Sequence, residues 1–321
     1  MSVVAVLFLL CIFMMFSEHR DDFFSKNNFQ LILLRVSLLS IFAIGETIVI
    51  ITGGIDLSLG SLIAFSGMVV SFLVTELSNK MIDGVAIMVA TVLTLAIALA
   101  IGSLHATLIH KIKLPPFVVT LASLLILRSQ ALVLNGMLPI SISKFPALLF
   151  LANGSLFKGT PFALPMPLVI LLIVAVIATI ILSRMRVGRY LYSIGSNEQA
   201  TGLSGVSVYK TKLFAYGASA LLGGLSGILY AAYGSQGNPQ SGSGYELEAV
   251  AASVVGGANL LGGQGSIAGT VLGATLLRVI GSVIFFEIRN ASKWESTIVG
   301  GILLLAVLVN ALQQRRTASR A

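Results

Sequence analysis

Two carboxylates stand where the chain has almost no other charge. Glu46 and Asp56 lie ten residues apart in IGETIVIITGGIDLSLGS, a stretch otherwise apolar or small. Paired acids can serve as general acid and base, or hold a proton or cation within a bilayer. For the first role no third catalytic partner is evident, and no catalytic residue is assigned. The remaining charges inside apolar runs are Arg35, Arg128 and Arg278. Arg35 and Glu46 sit about three helical turns apart, on one face but out of contact. Arg35 and Arg278 fall near the ends of their runs, where pairing or snorkelling accounts for them. Asp56 differs. It follows Gly53-Gly54, which release the backbone, and precedes Leu57-Ser58. A carboxylate there can cap a helix beginning near Ser58. Irregular backbone at membrane depth is tolerated only against protein or a cavity, so Asp56 is expected to face the bundle interior.

Other chemistries have little support. No Gly-Lys dipeptide occurs, so there is no Walker phosphate loop. His19, His105 and His110 do not share metal-ligand spacing, and no metal site is expected. GQGSIA at 263–268 fits a dinucleotide fingerprint but follows no soluble strand. Cys11 is the single cysteine, so disulfides play no part.

The elements that position these residues follow from composition. Of 321 residues, 56% are hydrophobic and only 10% charged, with a mean hydropathy of +0.99. Soluble domains carry about 25% charged residues. The expected class is an all-α membrane protein, a polytopic bundle of about ten transmembrane helices with broken helices, forming one domain over residues 1–321. The ten runs are 2–16, 30–52, 61–77, 84–104, 114–134, 165–182, 213–233, 247–261, 266–286 and 297–312. Runs 247–261 and 266–286 are split only by LGGQG and are readable as one broken helix plus another. The first run lacks a basic leader and a clear cleavage site, and reads as a membrane helix, not a removed signal.

The net charge of +8 suits topology better than nucleic acid. Alternation places the tail (Arg315, Arg316, Arg320), the loop 184–212 (Arg184, Arg186, Arg189, Lys210, Lys212) and the loop 105–113 (Lys111, Lys113) on one side. Glu18, Asp21, Asp22, Asp83, Glu246, Glu287 and Glu295 collect on the other. The positive-inside rule then puts both termini in the cytoplasm. The long connection 135–164, rich in Pro, Gly and Ser, is expected to fold at the outer surface.

Two segments echo each other. GGIDLSLGSLIAFSG (53–67) and GGANLLGGQGSIAGTVLG (256–273) each run from a glycine pair through Asp or Asn to a glycine-serine step. Both face the same side, as in a parallel repeat; chance similarity between glycine-rich segments is the alternative. In the basic loop, Asn197-Glu198-Gln199-Ala200 is expected to open a short helix ending near Gly202 or Gly205. Such a helix suits docking into a partner's groove, or equally an ordinary solvated loop held to anionic lipid.

Four stretches resemble the permease subunit of bacterial ATP-binding-cassette (ABC) importers, in the ribose/xylose/arabinose branch. They are GGIDLSLGSLIAFSG (53–67), LPPFVVTLASLLILRS (114–129), GRYLYSIGSNEQATGLSGV (188–206) and GYELEAVAASVVGGANLLGGQGSIAGTVLGA (244–274). The resemblance implies a multi-pass inner-membrane protein without cofactor of its own, ATP and Mg being bound by a separate ATPase subunit. It implies three protein partners: the cytoplasmic ATPase, a periplasmic sugar-binding protein, and a second permease copy or paralogue. By the same resemblance Gly195, Ser196, Asn197, Glu198, Ala200 and Gly205 meet the ATPase. Gly53, Gly54, Asp56 and Ser58, with Glu46, border the pathway, and Asn259, Gly262 and Gly263 are their counterparts in the second break. Tyr245 and Glu246 are weaker candidates for contact with the binding protein. Glu46 stands where this branch more usually has an apolar residue, which leaves the solute open between a monosaccharide and autoinducer-2, a nucleoside or a branched-chain amino acid. An ion-coupled secondary transporter is the rival class, against which the basic loop argues.

Overall fold

The computed structural model describes residues 3–157 and 163–288, with isolated positions from Trp294 to Leu308. The tenth run, 297–312, and the tail arginines lie outside the described residues, apart from a few of those positions. The chain opens with α1 (Val3–Met15), the single turn α2 (Arg20–Phe23) and the long α3 (Lys26–Ile51). After a break come α4 (Leu59–Ser78), α5 (Asp83–Lys111) and α6 (Pro116–Val133). The connection 135–164 contains β1 (Ile140–Ser141), α7 (Pro146–Asn153), β2 (Ser155–Leu156) and the start of β3 (Leu164–Pro165). Then follow α8 (Met166–Arg184), α9 (Arg186–Ser196), α10 (Glu198–Leu203), α11 (Val208–Gly234), β4 (Gln236–Gly237), α12 (Tyr245–Val255) and α13 (Ile267–Glu287).

Among the described residues, seven helices are long and apolar enough to cross a membrane: α3, α4, α5, α6, α8, α11 and α13. The protein is an all-α, multi-pass membrane protein. Run 247–261 was expected to span as a helix, but α12 has only 11 residues. At 1.5 Å per residue it covers roughly half of a 30 Å hydrocarbon layer. Ahead of it the polar segment SQGNPQSGSG (235–244), a two-residue strand followed by turns, packs along α4. A Cβ on Gly237 would stand 2.7 Å from Gly67 O, and one on Gly242 2.4 Å from Gly60 O. α4 is built for this approach, since Gly60, Gly67 and Ser71 form the face it offers.

Non-helical backbone among helices needs donors for its carbonyls. Arg128 on α6 supplies them, its Nη1 donating to Pro239 O at 2.8 Å and to Ser241 O at 2.7 Å. The arginine inside run 114–134 therefore has a structural role. Arg278 on α13 forms an ion pair with Glu248 on α12, with both side chains largely buried.

α3 and α11 form the centre. Ser37 to Ile51 of α3 is buried throughout, while α5, α6 and α8 leave large apolar side chains such as Leu93, Leu125 and Ile173 outside, as lipid-facing helices do. α11 packs through small residues. A Cβ on Gly227 would meet Ile63 O at 2.6 Å, and one on Gly102 of α5 would meet Tyr216 O at 2.3 Å. Such close backbone approach is how membrane helices associate without a hydrophobic driving force. Hydroxyls add to it: Thr47 Oγ1 lies 2.8 Å from Ser253 Oγ and 2.6 Å from Thr270 Oγ1, joining α3 to α12 and α13. The described residues of the 135–164 excursion are folded against the bundle. Phe145 and Leu148 are fully buried against Val70, Val74 and Ile228, and β1 pairs antiparallel with β4.

Replacing Arg128 with Met leaves the Pro239 and Ser241 carbonyls without their donor. A loss of roughly 1–3 kcal/mol is expected, read as a lower unfolding midpoint in detergent, with Arg128→Lys recovering part of it.

Candidate translocation and coupling site

The first break begins where the α3 ladder tightens. Thr52 N and Gly54 N both donate to Val49 O, at 2.9 and 3.2 Å, and Gly53 N donates to Ile50 O at 2.9 Å. Gly53 then takes φ +78°, a left-handed conformation that suits glycine. Asp56 follows, fully buried. Its Oδ1 accepts from Ser58 N at 3.1 Å and Ser58 Oγ at 2.6 Å, and its Oδ2 accepts from Ser219 Oγ of α11 at 3.0 Å. The Asp56 backbone N–H donates to Glu46 Oε1 at 3.2 Å. The aspartate thus recaptures donors two residues on, as an Asx turn does, and ties the break to α11. Ser58 is the N-cap by position but makes no side-chain cap bond, and α4 starts at Leu59.

Two further helices bring side chains that sequence reasoning missed. His105 of α5 is fully buried, with Nε2 2.7 Å from Ser123 Oγ of α6, and lies within electrostatic reach of Asp56. Tyr216 of α11 sets its ring edge-on to His105, centroids 6.4 Å apart, and its hydroxyl against Gly54. Any Cβ on Gly54 would come within 2.4 Å of that hydroxyl, which explains the second glycine of the pair. Glu46 Oε2, His105 Nδ1 and Tyr216 Oη are buried without a hydrogen-bond partner. Each such atom costs about 1–3 kcal/mol. Three gather around one helix break, and each calls for a partner that the neighbouring helices do not supply.

The second break spans 256–266, between α12 and α13. Gly257, Gly262, Gly263 and Gly265 all have positive φ. Asn259 closes the loop: its Oδ1 accepts from Leu261 N at 3.0 Å, and its N–H donates to Gln264 O at 3.1 Å. Ser266 then caps α13 by accepting from Gly269 N at 3.1 Å.

The two breaks meet at the same end of the bundle. Gly263 N donates to Ile51 O, the last carbonyl of α3, at 2.9 Å. Gly195 of α9 packs against both partners of that bond. A Cβ there would stand 1.9 Å from Ile51 O and 2.4 Å from Gly263 N. A Cβ on Gly262 would lie 2.8 Å from both Gly195 O and Gly53 N. Tyr192, one turn back on α9, donates its hydroxyl to Gly265 O at 2.9 Å. Burial pushes the Tyr192 phenol up, so it remains the donor.

α9 itself was read as part of a loop. Its signal was present in RVGRYLYSIGS, where Gly188, Leu191 and Ile194 recur at helical spacing and are the buried residues. Ser196 ends it and Asn197 starts α10, its Oδ1 accepting from Ala200 N at 2.9 Å. The short helix expected to open at Asn197 is therefore present. Ala200 is exposed, Leu203 is 91% exposed, and Gly205 turns the chain away with φ +84°. Glu198 pairs with Lys212 of α11 at 2.8 Å. Tyr245 and Glu246 lie apart from all of this. Tyr245 stacks on Phe42, centroids 5.8 Å apart, and Glu246 packs against Gly60, both within the α3–α4–α12 contact.

Broken helices meeting at one end of a polytopic bundle, with an exposed two-helix element clamped onto the breaks, define a membrane transport subunit. The chain belongs to the family described as the branched-chain amino acid transport system / permease component, which it matches over residues 28–308. It is 37% identical over 318 residues to the ribose import permease protein RbsC of Escherichia coli strain K12, covering 98% of this chain and 94% of that one. It is 32% identical to the protein of the same name from Bacillus subtilis strain 168, over 95% of this chain and 90% of the other. Against the D-allose transport system permease protein AlsC of E. coli K12 the identity is 28%, over 91% and 86%. No solved structure matches the chain.

The junction predicts a contrast between two glycines. Gly195→Ala overpacks Ile51 and Gly263 and should cost about 1–3 kcal/mol. Gly202→Ala, whose Cβ meets only a Val208 methyl at 3.7 Å, should be neutral or slightly stabilising. Thermal unfolding of the two purified variants measures the difference.

Proposed function

We propose that this protein is the transmembrane subunit of an ABC importer that carries a monosaccharide of the ribose class through the bacterial inner membrane. The observation that carries the reading is the near end-to-end similarity to ribose import permeases, together with the two breaks and α9–α10 in the segments that hold that similarity. The alternative solutes have no comparable support beyond the family's own description.

The end that bears α9 and α10 is the cytoplasmic one. Lys111, Lys113, Arg184, Arg186, Arg189, Lys210 and Lys212 all belong to it, while Asp21, Asp22, Asp83 and Glu287 belong to the opposite end. The chain then runs from a cytoplasmic N-terminus through α1 and on through the crossing at 235–255, and the cytoplasmic C-terminus of the proposed topology requires one more crossing after α13. A separate ATPase docks on α10, with Leu203 as its apolar anchor and Ser196, Asn197, Glu198 and Ala200 at the rim. Substrate arrives from an external binding protein, and a second permease copy completes the pathway. Closure of the ATPase pair shifts α10, and α9 transmits that shift to Ile51 and Gly263. The pathway alternates by moving the joint, as small movements at packed interfaces become larger rearrangements.

Glu198→Arg places a like charge beside Lys212 and should lose co-purification with the ATPase by tenfold or more, while membrane insertion is retained. Gly205→Leu, forced into a left-handed conformation, should do the same. Normal association in both variants contradicts the docking assignment. Uptake of labelled D-ribose by the reconstituted complex, competed by D-allose and not by leucine, tests the solute class. Competition by leucine alone overturns it.

A further inference from the structure

One cavity, of about 340 Å³, opens directly under the first break. Its inner wall is the backbone of Gly53 and Gly54 with Tyr216, and its outer wall is the Glu198–Lys212 ion pair, with Lys113 at the side. The volume falls at the lower end of those that hold small-molecule ligands. The Tyr216 hydroxyl is buried and unpartnered against Gly54, at the boundary between this cavity and the Glu46–Asp56–His105 cluster. The wall chemistry is mixed. An ammonium donates, a carboxylate accepts, a phenol does either, and the break sets the peptides of Gly53 and Gly54, whose N–H groups bond Ile50 O and Val49 O, along the inner wall. An anion would find only part of this useful. A neutral solute carrying several hydroxyls uses all of it, because each hydroxyl both donates and accepts.

We propose that this cavity is the inward-facing subsite for a neutral polyhydroxylated solute, with the Tyr216 hydroxyl and the Gly53–Gly54 backbone as its inner contacts and the Glu198–Lys212 pair as its outer gate. The inference rests on the importer reading and deepens it. Glu198 sits on α10, so one residue belongs both to the wall of the solute cavity and to the element that moves with the ATPase. Displacement of α10 breaks or re-forms the pair with Lys212, and the solute leaves past it to the cytoplasm. In this arrangement release is gated by the same helix that senses nucleotide, with no relay through the rest of the bundle.

The test uses the full permease–ATPase complex in liposomes, with Cys11→Ser as background and a single cysteine at Lys113→Cys as reporter. Millimolar D-ribose or D-allose should slow thiol labelling at position 113. Tyr216→Phe keeps the ring against Gly54 and His105 and removes only the hydroxyl. It should raise the half-protecting sugar concentration about tenfold, the effect of one lost hydrogen bond, without lowering the unfolding midpoint. Glu198→Gln should raise labelling in the absence of nucleotide towards the level reached with ATP bound. ATP-driven sugar uptake with no protection at 113, and with Tyr216→Phe like the background protein, overturns the subsite and leaves the importer reading intact. Protection without any uptake overturns the sugar-importer reading and leaves the subsite. Neither protection nor uptake overturns both.

Discussion

The hydrogen bond from Gly263 N–H to Ile51 O organises this protein. It joins the end of α3 to the loop that separates α12 from α13, so that two interruptions far apart in sequence become one joint. A broken helix inside a bilayer leaves peptide groups that water cannot reach, and each must find a partner in the protein. Here each break supplies part of what the other lacks. The joint requires main chains in direct contact, which is why Gly195, Gly262 and Gly263 converge on it. Larger residues at these positions would force the three backbones apart.

Around that joint the polar groups divide into two kinds. Those of Asp56, Ser58, Ser219 and Asn259 are satisfied and hold shape. Glu46 Oε2, His105 Nδ1 and Tyr216 Oη are not, and they gather on the α5–α11 side of the first break. Elsewhere in the bundle, Arg128 is occupied with two carbonyls of the 235–244 segment, and Arg278 with Glu248.

Much of this was legible in the sequence because its causes are local. A glycine pair followed by an aspartate announces a break and its repair, and Asn197 two residues past a glycine announces a cap. The charge bias needed only a count. What was not legible depends on distance. Nothing near His105 or Tyr216 in sequence says that α5 and α11 face Gly54. The packing of the 235–244 segment depends on Gly60, Gly67 and Arg128, which are remote. The helical period of α9 was visible in Leu191 and Ile194, but the arginines around them made the segment look like an ordinary basic loop. The second break resembled the first in composition, yet only the fold puts the two in contact.

The central claim is that α10, α9 and the two breaks move as one body. Spin labels at Ser204→Cys on α10, Gln264→Cys in the second break and Lys80→Cys beyond the far end of α4 test it in the ATPase complex, all three positions being exposed. The account predicts that the 204–264 distance is unchanged between the nucleotide-free and ATP-trapped states while both distances to position 80 shift together. A change in the 204–264 distance on trapping, with 264–80 fixed, would contradict it.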